Sequence, residues 1–270
     1  MWSPKRPVAH IALSAQRIAV AQASNIWFSK NVKFEKIDCE PDDGREVWSS
    51  AVDGLERWLS VQRNKPTLHI VLSARFVRWQ LLDWRPEVSH PKEIAAYAAL
   101  RFKETYGKTV EDWQVRYASQ PPGQTVPACA IDVALIDRLR TVCSNTGARL
   151  ISISPYFSSA LDRWSSSLKG EMCWLGVVET DCISLALLRN GRFLGLRSQR
   201  IDVPLREALP GLVTQMGIAC GITDATVPIY LVGDGEVSSL PGDMAFTWLQ
   251  SRTQQRKAPV QVGLHMALGM

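Results

Sequence analysis

Apolar and polar positions along the chain sort into short strands and amphipathic helices in three successive stretches. Residues 8–13 are an apolar run, Ser14-Ala15-Gln16-Arg17 supplies a turn, and residues 18–21 are apolar again, the pattern of two paired strands. Ile26-Trp27-Phe28 is a further apolar triplet, and Val32-Lys33-Phe34-Glu35-Lys36-Ile37 alternates with period two, as a half-buried strand does. Pro41-Asp42-Asp43-Gly44 breaks the pattern. Val47, Ala51, Leu55, Trp58 and Leu59 then recur at three- and four-residue spacing, which predicts a helix with one apolar stripe. Residues 68–72 read as a short buried strand.

In the middle stretch, residues 76–82 predict a strand, and Ser89 is expected to cap a helix that carries Pro91 in its first turn. Ile94, Ala95, Ala98 and Phe102 give that helix its inner face, and Gly107 suits its exit. Strands are expected at residues 113–117 and 128–133, on either side of the Pro121-Pro122-Gly123 turn. Leu135, Leu139 and Val142 stripe a helix ending near Gly147. The order strand, helix, strand, strand, helix suits a small sheet covered on one face.

The last stretch repeats the style of the first. Residues 150–153 predict a strand, and Ser154-Pro155 opens a helix striped by Phe157, Ala160, Leu161, Trp164 and Leu168. Strands follow at residues 174–178, 183–188 and 192–196, the last two joined by Asn190-Gly191, a strong hairpin signal. A helix over residues 205–219 contains Pro210, which is expected to start, kink or split it. Residues 229–232 predict a buried strand running into Gly233-Asp234-Gly235, residues 246–249 another strand, and residues 262–268 a final helix.

The chain has 270 residues, 46% hydrophobic and 21% charged, with a mean hydropathy of −0.06. These are the proportions of a globular protein, and they exclude a disordered or collagen-like chain. No apolar run approaches the about 18 residues of a membrane span. Arg17 interrupts the first apolar segment, so the N-terminus does not read as a signal peptide. Six cysteines form no C-x-x-C pair and share no zinc-like spacing with the four histidines, so they read as core residues in a reducing compartment, with no metal site. A net charge of +5 is too small to argue for nucleic acid.

The doubled opening meander, near residues 8–37 and 174–196, resembles the actin-like ATPase (ribonuclease H-like) fold. Leu72-Ser73-Ala74-Arg75-Phe76-Val77 with Glu93-Ile94-Ala95-Ala96-Tyr97, and Glu111-Asp112-Trp113-Gln114-Val115, resemble the insert of the PilM family. PilM is the cytoplasmic actin-like component of the type IV pilus inner-membrane platform. The cytoplasmic domain of GspL, from type II secretion, is a related alternative. Ala134-Leu135-Ile136-Asp137-Arg138-Leu139 with Gly147-Ala148-Arg149-Leu150 is similar to the family's return into the core sheet. Val177-Val178-Glu179-Thr180-Asp181 with Leu188-Arg189-Asn190-Gly191-Arg192 is similar to its second phosphate-loop hairpin, Leu231-Val232-Gly233-Asp234-Gly235 to its adenosine loop, and Val262-Gly263-Leu264 to its closing helix. The resemblance implies an α/β chain of two subdomains, with a first part over residues 1–75, an inserted α+β module over 76–148, and a second subdomain over 149–270. It further implies a protein on the cytoplasmic side of the inner membrane. Its expected partners are the N-terminal peptide of a single-pass, PilN-like protein and a motor ATPase.

The same resemblance places a nucleotide site at Ser14, Gln16, Thr180, Asp181, Gly233 and Gly235. Such a site needs glycines for close backbone approach and carboxylates to hold Mg²⁺. The turn at residues 13–17 has neither, and the second hairpin keeps Glu179, Thr180 and Asp181 but no glycine. A degenerate site is therefore expected, with ATP bound weakly at most, no catalytic residue and no metal; a working actin-like ATPase is the rival reading. Asp42 and Asp43 read as a solvated turn, Ser14 lacks a nucleophile elbow, and His10, His69 and His265 read as structural. Trp79, Trp84, Trp113 and Trp248 are candidates for core or interface. Arg189, Arg192, Arg197, Arg200 and Arg206 are opposed by Asp202 alone, a solvated face or a contact with anionic lipid.

Overall fold

Three sheets organise the chain in a computed structural model that describes residues 6–23, 32–40, 45–222, 224, 226–234 and 244–249. β1 (Val8–Ser14), β2 (Arg17–Ala23) and β3 (Val32–Asp38) form an antiparallel meander. Helix α1 (Ser49–Val61) then carries the chain back, so that β4 (Thr67–Leu72) lies parallel to β1. A short 3-10 turn at Ala74–Phe76 leads out to β5 (Val77–Leu82), α2 (Pro91–Tyr106), β6 (Trp113–Tyr117) and β7 (Val126–Asp132). These three strands make their own antiparallel sheet, ordered β5-β7-β6. Helix α3 (Val133–Thr146) returns to β8 (Arg149–Pro155), which completes the first sheet as β3-β2-β1-β4-β8. After α4 (Tyr156–Trp164), the plan repeats with β9 (Met172–Val178), β10 (Cys182–Arg189), β11 (Arg192–Arg200), α5 (Leu205–Ala219), β12 (Ile229–Gly233) and β13 (Phe246–Trp248). The second sheet runs β11-β10-β9-β12-β13, the same strand order as the first.

Period-two alternation assigns each strand one side chain in two to each face, and the buried clusters follow it. Ile11, Leu13, Ile18 and Val20 meet α1 and α3 on the outer face of the first sheet. Ala12, Ala19 and Ala21 meet α4 (Tyr156, Phe157, Ala160) and the inner face of the second sheet (Leu175, Val177, Ala186). Ile183, Leu185 and Leu187 pack on α5. A separate cluster of Leu82, Ala98, Phe102 and Val126 sits between α2 and the three-stranded sheet. Helix α3, inside the range read as the insert, buries Leu135, Leu139 and Val142 with α1 rather than in that fourth cluster.

Local signals differ from expectation at several points. Val47 precedes α1 and is 52% exposed, so the apolar stripe of that helix begins at Ala51. His90, not Ser89, caps α2: its imidazole accepts from Lys92 N–H (3.2 Å), while the Glu93 carboxylate accepts from His90 N–H (3.0 Å) and Ser89 N–H (3.3 Å). This reciprocal box satisfies more helix-end donors than a lone serine would. Ala95 is exposed, and the inner face of α2 rests on Ala98 and Phe102. Helix α5 neither starts nor splits at Pro210, because burial of Leu205, Leu209, Leu212, Val213 and Met216 on the second sheet outweighs the lost N–H. Asn190 (φ 51°) and Gly191 (φ 75°) form the tight β10–β11 turn as expected. The segments at 26–28 and 262–268 lie outside the described residues.

Two glycines give opposite expectations. Gly233 has φ +117°, and a Cβ there would collide with the Val178 carbonyl oxygen. Gly233→Ala is expected to destabilise by about 2–4 kcal/mol. Gly211 lies inside α5 with nothing within 4 Å of a built Cβ, so Gly211→Ala should stabilise by about 0.5–1 kcal/mol. Urea unfolding midpoints of the two variants check both.

Candidate functional site

The repeated strand order sets the β1–β2 turn opposite the β9–β10 turn, with the end of β12 beside them. Ser14, Ala15, Gln16 and Arg17 from the first turn, and Glu179, Thr180 and Asp181 from the second, line one cavity with Ala12, Ala19 and Asp234. Four of the six residues named from sequence, Ser14, Gln16, Thr180 and Asp181, thus meet in space. Gly233 ends β12 one residue before Asp234, whose N–H donates to Val178 O at 3.0 Å. Gly235 lies outside the described residues.

The cavity is small. It offers about 30 Å³, room for one or two waters. Ser14 Oγ donates to Arg17 O within its own turn (2.9 Å), and Arg17 Nε turns outward to Asp38 (3.1 Å). The corner that follows β4 reaches across from the first sheet. Ser73 N–H donates to Leu13 O (2.9 Å), and Ala74 N–H donates to a Glu179 carboxylate oxygen (2.8 Å). Glu179 is 6% exposed, and its other oxygen has no hydrogen-bond partner. Burial pushes its carboxyl up to about 7; Ser73 and Ala74 hydrogen bonds oppose that rise, and the Asp181 and Asp234 charges add to it. Tyr156, fully buried nearby, is held well above its ordinary value by burial and by the charges of Asp234 and Glu179.

Arg75 completes the arrangement, its Nε 3.5 Å from an Asp181 carboxylate oxygen. A guanidinium there already neutralises the carboxylate that a magnesium ion would need, and it cannot give up its proton to make way. Side chains with Cβ atoms at Ser14, Ala15 and Gln16 also deny the backbone approach that phosphate cradles use. The residues present therefore do not fit a magnesium–triphosphate. Among the described residues, no cluster of histidine, cysteine and carboxylate side chains is arranged to hold a metal.

Sequence reasoning left Ser73, Ala74 and Arg75 out of the site. Their role depends on contacts with residues about a hundred positions away, and no local pattern signals it. Other candidates resolve into structure. His10 and His69 stack on adjoining strands with centroids 5.0 Å apart, burial holding His10 below its usual value, and His69 Nδ1 lies 2.9 Å from Ser152 Oγ. His265, Asp42 and Asp43 lie outside the described residues. The six cysteines are free thiols, five of them buried. Trp79 packs edge-on against Phe157 (centroids 5.5 Å), and Trp84 is 44% exposed.

Three solved structures are similar to this fold. The cytoplasmic domain of EpsL, an inner-membrane component of the type II secretion system of Vibrio cholerae, matches at TM-score 0.59 and 11% identity, over 97% of this chain and 93% of that one. The PilM–PilN type IV pilus biogenesis complex matches at TM-score 0.58 and 14% identity, over 84% and 81%. A Bacteroides thetaiotaomicron protein with an actin-like ATPase fold and unknown function matches at TM-score 0.58 and 15% identity, over 87% and 84%. No protein-family model and no curated protein matches the sequence. The chain has the actin-like ATPase fold, as the resemblance implied.

Glu179 makes stability depend on pH in a defined direction. With its folded value near 7 against an ordinary 4.5, the native state binds more protons than the unfolded chain between those values. Its contribution is therefore lost as pH rises through that window, by roughly 3 kcal/mol. Glu179→Gln keeps an acceptor for Ala74 N–H and removes the charge. The stability difference between variant and wild type, from urea unfolding at successive pH values, should shift in the variant's favour from pH 5 to pH 8.

Proposed function

We propose that this chain is a non-catalytic scaffold of a type IV pilus inner-membrane assembly platform, which holds the cytoplasmic N-terminal peptide of a PilN-like, single-pass membrane protein. The observation that carries the reading is the cleft itself. In an actin-like fold the space between the two sheets is the place for a nucleotide, and here Arg75 and Glu179 occupy its chemistry. A fold kept without that chemistry offers surfaces rather than turnover. Likeness to the PilM–PilN complex supports a membrane-anchored partner. Likeness to the EpsL cytoplasmic domain over 97% of this chain favours, as a second reading, the corresponding component of a type II secretion system. Either role places the chain at the cytoplasmic face of the inner membrane, with force supplied by a separate motor ATPase. Among the described residues, no helix is long and apolar enough to cross a membrane.

Co-expression with a PilN-like, single-pass membrane protein from the same source tests the proposal. The two should co-purify in mild detergent, and deleting the partner's residues before its membrane span should abolish capture. Capture that survives the deletion, or no capture at all, would defeat the reading.

A further inference from the structure

A slot of about 500 Å³ separates the insert from the second sheet. One wall is the stretch from Ala74 to Trp79, where the chain leaves the cleft corner and enters β5; the other is Leu196 to Arg200 of β11. Both β5 and β11 are edge strands of their sheets. Arg75 and Arg78 line the first wall, Arg197 and Arg200 the second, and no carboxylate lines the slot. The nearest acids, Asp181 beside Arg75 (3.5 Å) and exposed Asp202 near Arg200 (3.9 Å), leave Arg78 and Arg197 without an acidic partner among the described residues. The arginine run seen in the sequence is thus divided. Arg189 and Arg192 flank the β10–β11 turn, while Arg197 and Arg200 join two arginines from a distant part of the chain.

Beyond its approach to β5, the main chain of β11 has no hydrogen-bonded strand partner along this wall. Ile201 N–H donates to Asp181 O (3.0 Å), which makes that pair a hydrogen-bonded one. Alternation along the antiparallel ladder then turns the N–H and C=O groups of Leu196, Ser198 and Arg200 away from β10 and into the slot. Thr125 Oγ1 covers the strand nearer its start, donating to Phe193 O. No hydrogen bond from another described residue reaches the outward groups at 196, 198 and 200. Trp79 and Leu196 supply an apolar stretch within the same slot, and Trp79 Nε1 is a buried donor without an acceptor.

We propose that the slot binds an acidic segment of a partner protein in extended form, added as a strand to the free edge of β11. Main-chain bonds to residues 196, 198 and 200 would hold it, carboxylates would pair with Arg78 and Arg197, and Trp79 and Leu196 would receive an apolar side chain. An extended segment of about five residues, roughly 17 Å, matches the open wall. A lipid headgroup or free phosphate would use the arginines alone and leave the strand edge unpaired. This surface is separate from the membrane partner's tail, since segments flanking a span on the cytoplasmic side carry an excess of lysine and arginine.

Fluorescence anisotropy with the full chain tests it, using a labelled octapeptide of alternating glutamate and valine. That probe should bind, weaken with salt, and lose roughly tenfold in affinity for each charge reversed in Arg78→Glu and Arg197→Glu. Arg78→Lys and Arg197→Lys should retain most of the binding. A probe N-methylated at alternate residues should fail on wild-type protein, a result independent of any variant's folding. Equal binding of a lysine–valine peptide, or undiminished binding of the N-methylated probe, would overturn the proposal. So would arginine-dependent binding of phosphatidylglycerol vesicles without peptide binding. Capture of the tailed membrane partner should survive the double reversal. Loss of both together would merge the two sites and overturn the assignment of a separate acidic ligand.

Discussion

Everything distinctive in this molecule turns on the seating of a three-residue corner, Ser73 to Arg75, against the β9–β10 turn. Ser73 is tied to the first sheet through Leu13 O, Ala74 N–H reaches Glu179 of the second, and Arg75 lies beside Asp181. An ionised carboxylate so deeply buried is costly unless it is paired or protonated. Glu179 answers with a raised pKa opposed by Ser73 and Ala74 hydrogen bonds, while the half-buried Asp181 lies beside a guanidinium. The corner closes the cleft from inside. It also leads the chain into β5, so that Arg75 and Arg78 line the same slot as Arg197 and Arg200. One short segment ties the two facing turns together and builds a wall of a different surface.

The scaffold around that corner keeps its architecture strictly. Both sheets share one strand order, and Gly233 stays at a position where a Cβ would strike the Val178 carbonyl. That constraint belongs to packing of β12 against β9, and it holds whether or not a ligand is bound. Glycine at the end of a strand is thus no evidence of a phosphate cradle, whereas bulk and charge in the two facing turns bear on it directly. Fold and chemistry rest on different residues: the layers are set by burial, and any chemistry by a few side chains at one end of the sheets.

Much of the layering was legible in the sequence because it rests on short-range pattern. The alternation at Val32 to Ile37, the stripe of Ala51, Leu55, Trp58 and Leu59, and the Asn190-Gly191 turn each report a local backbone preference, and each appears in its element. Local pattern misleads where neighbouring groups compete. Glu93 selects His90 as the cap over Ser89, and tertiary burial carries α5 through Pro210. The meeting of Ser14 and Gln16 with Thr180 and Asp181 followed from the doubled meander, a pattern spread over the whole chain. The parts played by Ala74, Arg75 and Arg78 were hidden. Nothing in a single arginine or a backbone N–H marks which strand, a hundred residues on, will lie across from it.

If the closed corner leaves no seat for a magnesium–nucleotide, isothermal titration of Mg-ATP into the purified full chain should give no saturable heat up to millimolar nucleotide. Micromolar binding that vanishes on Asp181→Ala would show the seat to be open and refute that closure.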